Sequence, residues 1–395
     1  MRIEVHGGLQ GDRAVFEKAL AAQCDELGIA LDLVKPSSGA LTTPPATLVA
    51  FPKSGQAWTA AEKGDFGTIA PGRSGVLPVI VSAVDAGMLP DALKAFNAFQ
   101  TGLWGAAWAD GLVDEVLSHS WQHRRERRVF ISYKRSESGR VAKQLFEALS
   151  YHGYVPFLDD VSIPKGDDFQ HELKWWLNDA DAILLLLTPG FANSQWCMQE
   201  VNFARGSSVG LLGIEWPDSD FPTPARAPDS VATSIDSDQR LQLQDADFAG
   251  DARRSHATRE LSEAGLLRVI VHCARQRALA IRQRLDDLVP LATELLAPSA
   301  AMRPVAGMAG DFTFSDSSGS DYYVRIVPFR PDPRCMHETF QAASGQRYVG
   351  CLYGEFDVHD PRATALKWLA QCQREGKAPN HELRLWACLG DKVIA

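Results

Sequence analysis

A chain of 395 residues is too long for one ordinary hydrophobic core, so two or three domains are expected. Apolar residues make up 45% and charged residues 23%, the mix of a soluble globular protein, and a formal net charge of -9 argues against duplex nucleic acid as the main partner. The seven cysteines are scattered and odd in number, with no Cys-x-x-Cys pair, so neither a zinc site nor a disulfide framework is expected.

Met1-Arg2-Ile3-Glu4-Val5 reads as a strand and not as a secretion signal. No apolar stretch approaches the roughly 20 residues that span a bilayer, so no membrane contact is expected. Reduced thiols and a cytoplasmic location complete that expectation. A helical pattern covers Arg13 to Leu27, with Val15, Leu20 and Cys24 near one face. Leu31 to Val34, Thr47 to Phe51 and Val76 to Ser82 read as strands, each bounded by Pro, Gly or Ser. Helices are expected from Pro90 to Phe99 and from Asp110 to Ser120. Short apolar strands alternating with helices imply an N-terminal α/β domain over 1–120, without a catalytic constellation.

The basic run His123-Arg124-Arg125-Glu126-Arg127-Arg128 reads as a solvated linker. After it, Val129-Phe130-Ile131-Ser132 is a short apolar strand. Val141, Leu145 and Leu149 recur every four residues, the mark of an amphipathic helix. Val155 to Leu158 is a further strand, although Pro156 removes one ladder donor from it. A loop rich in Asp, Pro and Gly runs from Asp159 to Asp167. The next helix carries Phe169, Leu173, Trp176 and Leu177, with Asp167 or Asp168 as its cap. Ile183 to Leu187 is an unbroken apolar run, which predicts a parallel strand buried on both faces. Ser194 caps a helix through Ala204, and Leu211 to Ile214 is a fourth strand. This βαβαβαβ order predicts a doubly wound parallel sheet.

Pro217 to Arg259 is polar, with one short strand at Leu241-Gln242-Leu243. A strong helix follows, with Ile270, Ala274, Ala278, Ile281 and Leu285 on one face. Pro290 to Gly310 reads as a linker. The last segment, 305–395, reads as a small α+β module with strands at Tyr322 to Val327, Tyr348 to Tyr353 and Leu383 to Cys388, and a helix from Arg362 to Arg374. His337, His359 and His381 lack metal-ligand spacing, and no metal site is expected.

Parallel α/β sheets bind ligands beyond the carboxyl ends of their strands. Those ends are Tyr133-Lys134-Arg135-Ser136, the loop from Asp159 to Asp168, and Thr188-Pro189-Gly190 with the helix behind it. Trp196 and Glu200 lie one helical turn apart on that helix. An aromatic plane beside a carboxylate, near two basic residues, suits a ligand with a flat ring and phosphates, and Arg135 can grip pyrophosphate bidentately.

At these positions the chain resembles a known family. Phe130-Ile131-Ser132-Tyr133 with Lys134-Arg135-Ser136 resembles the opening strand and loop of TIR domains. Phe157-Leu158-Asp159 through Ile163-Pro164-Lys165-Gly166 to Phe169 is similar to the TIR BB loop. Leu187-Thr188-Pro189-Gly190-Phe191 and Ser194-Gln195-Trp196-Cys197 resemble the family's third strand and next helix. Trp196 to Glu200 is similar to the Trp-x-x-x-Glu pattern of TIR domains that cleave NAD, and Glu215-Trp216-Pro217 follows the fourth strand as in one of them.

The resemblance implies a central flavodoxin-like TIR sheet over 127–290 with Glu200 as catalytic carboxylate. It implies substrate contacts from Tyr133, Lys134, Arg135, Asp159, Ser162, Ile163 and Trp196. NAD would be the substrate and no cofactor would be needed. It further implies self-association through TIR domains and the BB loop, an unidentified activating ligand or partner, and a role as a bacterial immune or toxic effector. The product would be ADP-ribose or a cyclic form of it, with the C-terminal module as a candidate sensor. The rival reading is a non-catalytic TIR scaffold that only binds other TIR domains; the presence of both Trp196 and Glu200 favours the enzyme.

Overall fold

The computed structural model describes residues 1–8, 10–34, 47–53, 58–67, 75–81, 88–120, 126–162, 169–206, 209–217, 219, 239–250, 255–296, 303–305, 310–315, 321–329, 335, 339, 343, 348–353, 382–389 and 392–394. The helix expected at 362–374, the caps Asp167 and Asp168, the loop residues 163–166 and His337, His359 and His381 lie outside them.

Three sheets organise the described chain. The first contains β1 (Arg2–His6), β2 (Asp32–Val34), β3 (Thr47–Ala50), β4 (Val76–Ile80) and β5 (Phe99–Gln100) in the order β2-β1-β3-β4-β5, with every pairing parallel. Helices α1 (Gln10–Glu26), α2 (Ala60–Gly67) and α3 (Trp108–Ser120) accompany it. Two expectations change here. On α1, Leu20 and Cys24 are buried, but Val15 faces solvent and Phe16 takes the core position beside them. The helix expected from Pro90 to Phe99 shrinks to a 3-10 turn, Asp91–Leu93, and Phe99 joins the sheet beside Val79. There the Phe99 ring stacks on Trp104, so tertiary packing overrides local helix preference.

The second sheet holds β6 (Arg127–Ser132), β7 (Tyr154–Phe157), β8 (Ala182–Leu187), β9 (Gly210–Glu215) and β10 (Arg240–Gln242), all parallel, in the order β10-β9-β8-β6-β7. Its connections carry α4 (Arg135–Tyr151), α5 (Asp159–Ser162), α6 (Phe169–Asp179) and α7 (Gln195–Gly206). β8 is central and all its residues are buried, as an unbroken apolar run requires. β7 is an edge strand, which is where Pro156 is tolerated. Counted within each unit, both parallel sheets share one order: second strand, first, third, fourth, fifth. That is the flavodoxin-like order. The repeat in topology has no visible counterpart in the sequence.

The third sheet is mixed. β11 (Arg303–Pro304), β12 (Asp311–Ser315), β13 (Asp321–Val327), β14 (Tyr348–Tyr353), β15 (Glu382–Leu389) and β16 (Lys392–Ile394) lie in sequence order. The central pairings β13-β14 and β14-β15 are parallel and the others antiparallel.

α8 (Glu263–Leu296) touches all three units. Pro290 lies inside it, so the linker expected from that residue is helical through Leu296. Ala292 is fully buried beyond the proline, so the helix stays packed past a residue that costs a helix interior roughly 3 kcal/mol. Arg275 of α8 bonds Glu26 of α1 at 2.9 Å. Arg277, fully buried, meets Asp181 at 2.9 Å and Asp114 of α3 at 3.5 Å. Asp114 also accepts from Arg127 at 2.7 Å and from the Tyr154 hydroxyl at 2.9 Å. Arg284 reaches the carbonyls of Ala180 at 3.3 Å and of Pro328, just after β13, at 3.2 Å. This charged cluster sits at the amino ends of β6, β7 and β8, leaving their carboxyl ends for another use. A single apolar cluster runs from Ile3 through Leu184 to Ile326.

Candidate functional site

The carboxyl ends of β6, β7 and β8 deliver their following segments to one edge of the second sheet. Ser132 is the last residue of β6 and is buried. Its hydroxyl donates to the Glu200 carboxylate. Glu200 lies on α7, whose start is fixed by Ser194 accepting the Cys197 amide at 3.4 Å. That cap places Trp196 in the first turn and Glu200 one turn later. Trp196 is 54% exposed, whereas Glu200 is partly buried.

Burial pushes the Glu200 carboxyl up to about 7; the hydrogen bond from Ser132 opposes the rise and the charge of Asp159 adds to it. Asp159 opens α5 at the end of β7 and accepts from Arg135 at 2.6 Å. Burial first, and the nearby Asp159 carboxylate second, hold the Tyr133 hydroxyl above its ordinary pKa range. Tyr133, Arg135, Asp159 and Glu200 therefore share one edge, and the Arg135 side chain is 62% exposed.

Two other sequence candidates are occupied differently. The Ser162 hydroxyl accepts the Leu158 amide at 3.0 Å, and the Ser162 amide returns to the Leu158 carbonyl at 2.7 Å, so this side chain closes its own turn. The Lys134 ammonium pairs with Glu137 at 2.5 Å. Ile163 lies outside the described residues. Sequence reasoning missed Ser132 and Glu137. The signal for Ser132 was present: a hydroxyl ending an otherwise apolar, buried strand needs a polar partner.

This arrangement can do a definite kind of chemistry. A carboxylate held by a hydroxyl, beside an exposed indole and a guanidinium, suits an electron-poor centre carried on an anionic, ring-bearing ligand. Cys197 is buried and burial pushes its thiol up, which removes it as a nucleophile. Among the described residues no group of three or more His, Cys, Asp or Glu side chains could hold a metal ion, and no helix is long and apolar enough to cross a membrane.

Residues 129–249 match the family model described as TIR domain. No curated protein matches the chain. Among solved structures, the TIR domains of the activated Roq1 resistosome directly recognising the pathogen effector XopQ align at 20% identity, over 23% of this chain, with a TM-score of 0.22. The chain spans 58% of the length of that structure. Tagatose-6-phosphate ketose/aldose isomerase from Escherichia coli aligns at 12% identity over 72% of this chain and 82% of its own, with a TM-score of 0.22. The C-terminal domain of glucosamine-fructose-6-phosphate aminotransferase from Francisella tularensis aligns at 9% identity over 71% and 85%, with a TM-score of 0.20. TM-scores at this level carry no functional information.

Proposed function

We propose that the TIR domain at residues 129–249 cleaves the nicotinamide–ribose bond of NAD, with Glu200 as its catalytic carboxylate. The observation that carries this reading is the hydrogen bond from Ser132 to a partly buried Glu200 at the carboxyl edge of the sheet, one turn from exposed Trp196. Heterolysis of that bond sends the electron pair to the nicotinamide ring, which leaves neutral and needs no general acid. Positive charge then builds at the ribose carbon, as in glycoside hydrolysis. An ionised Glu200 stabilises that charge electrostatically. Water adds to the carbon and loses a proton, giving ADP-ribose; capture by the adenine ring instead gives a cyclic product. Arg135, exposed on the same edge, is the residue suited to pyrophosphate. Lys134 reaches a ligand only by leaving Glu137. By resemblance, the proposal extends to a cytoplasmic immune or toxic effector switched on by assembly, with 1–120 and 305–395 as the flanking modules that gate it.

The test is nicotinamide release from NAD by the purified chain. Glu200→Gln keeps shape and removes charge, so cleavage should fall at least about 100-fold while the fold survives. Undiminished cleavage would remove Glu200 from the chemistry. A scaffold role is the second reading, favoured by Val161 at 51% and Trp196 at 54% exposure, apolar surface suited to a protein partner. Self-association without any NAD loss would select it.

A further inference from the structure

We infer that Glu137 is a positioning residue for Glu200, tying the loop after β6 to the turn after β8. Glu137 lies in the first turn of α4. One carboxylate oxygen accepts from the Lys134 ammonium at 2.5 Å and the other from the Gly190 amide at 2.9 Å. Burial pushes this carboxyl up, but Lys134, then Thr188 and the Gly190 amide, outweigh it and hold the group below its ordinary value. It is therefore ionised at neutral pH.

The two segments it joins are those that bear the site. Lys134 follows Ser132, the donor to Glu200. Gly190 leads through the 3-10 turn Phe191–Asn193 to Ser194, the cap of the helix that carries Glu200. The clamp thus fixes the spacing across which the Ser132–Glu200 hydrogen bond must reach. Hydrogen bonds fail steeply with small displacements, so this spacing matters.

Gly190 gives an independent sign of the clamp. Its backbone, at φ -96 and ψ 2, is a turn conformation open to any L residue, so conformation does not demand glycine. A Cβ at this position, however, would come within 3.0 Å of both Glu137 and Lys134. The ion pair lies directly on the glycine. Because the obstructing atoms are the ends of flexible side chains, Gly190→Ala displaces the clamp while preserving every charge.

The experiment turns on a sign. The groups acting on Glu200 are Ser132 from β6 and Asp159 from α5, with Cys197 beside it on α7; Glu137 is not among them. If deleting Glu137 acted through space, the loss of negative charge would lower the Glu200 titration midpoint. Loosening the Ser132 hydrogen bond instead raises it. Full-length protein labelled with 13C-glutamate is titrated by NMR, with the Glu200 signal assigned through Glu200→Gln, alongside steady-state NAD cleavage.

Both Glu137→Ala and Gly190→Ala should raise the Glu200 midpoint. Both should lower kcat by about tenfold, a cost typical of sub-ångström misplacement, with a smaller change in KM. Glu137→Gln, whose amide oxygen still accepts from Gly190, should fall between these variants and the parent. An unchanged or lowered midpoint in the two alanine variants overturns the inference. If Glu137→Ala does not fold, Gly190→Ala decides alone. The kinetic arm rests on the NAD-cleavage reading; absence of cleavage by the parent protein defeats that reading and leaves the NMR result to judge the clamp.

Discussion

Ser132 donates its hydroxyl to Glu200 across 68 residues of sequence, joining the end of β6 to the second turn of α7. Burial drives the Glu200 carboxyl toward protonation, and this donor is the force that opposes it. The pair therefore sets how much of the protein carries an ionised Glu200 near neutral pH. Because the carboxyl sits at about 7, the cleavage rate should climb with pH through neutrality.

Ser132→Ala removes the donor and leaves burial unopposed. The acid limb of the pH–rate profile should move to higher pH. At neutral pH the rate should fall by about tenfold or more, the scale of one hydrogen bond to a charged group. Steady-state rates from mildly acidic to mildly alkaline pH check both effects. An acid limb that stays in place would mean that the hydroxyl does not tune Glu200.

The same shift has a consequence for stability. The folded carboxyl holds its proton up to about 7, against 4.5 for the ordinary group. Its favourable contribution is complete below 4.5 and is lost as pH rises through about 7. Glu200→Gln cannot suffer that loss. Its Tm should exceed that of the parent above neutrality, and the gap should close in acid. Thermal melts across pH measure this, and a gap that ignores pH would refute the shifted carboxyl.

Most of the site-bearing sheet was legible in the sequence because its signals are local. The run Ile183 to Leu187 reads as a central strand, and β8 is one. Ser194 reads as a cap, and it accepts the Cys197 amide. Trp196 and Glu200 read as neighbours on one helix. What stayed hidden depends on long-range pairing. Glu137 meets Gly190 across 53 residues, and no periodicity reports such a contact. Phe99 joins a strand only because Val79 and Trp104 are there to receive it. Lys134 looked available to a ligand because a sequence cannot show that Glu137 folds back onto it. The alternation of strands and helices over 1–120 left a flavodoxin-like sheet open as a reading, and β2-β1-β3-β4-β5 has that order.

Arg277 offers a test of how the units are joined. It is fully buried between Asp181 and Asp114, which also serves Arg127 and Tyr154. Arg277→Ala strips the buried guanidinium from Asp181, while Asp114 keeps Arg127, and should cost about 3–5 kcal/mol. Adding Asp181→Asn should recover part of that cost, because the buried charge that Arg277 faced disappears with it. Denaturant unfolding of both variants gives the comparison. A loss below about 1 kcal/mol for Arg277→Ala, the scale of a surface ion pair, would show that the cluster is not a structural joint.

Assembly is the remaining question, and exposure bears on it directly. Val161 on α5 and Trp196 on α7 are large apolar side chains left 51% and 54% exposed beside the candidate site. Solvated apolar surface of this kind gains free energy when another protein covers it. The adjoining loop residues Ile163 and Pro164 continue the same apolar composition in sequence. On the NAD-cleavage reading, specific activity should therefore rise with protein concentration, and Val161→Asp or Ile163→Asp should flatten that rise without loss of fold. If the segment is only a lid over a complete monomeric site, specific activity stays level on dilution and both variants alter KM alone. Initial rates over a hundredfold dilution series, read beside light scattering, separate the two. A level profile from a monomer confirmed by scattering would leave the site self-sufficient, with Val161 and Trp196 acting on the substrate and not on a second copy.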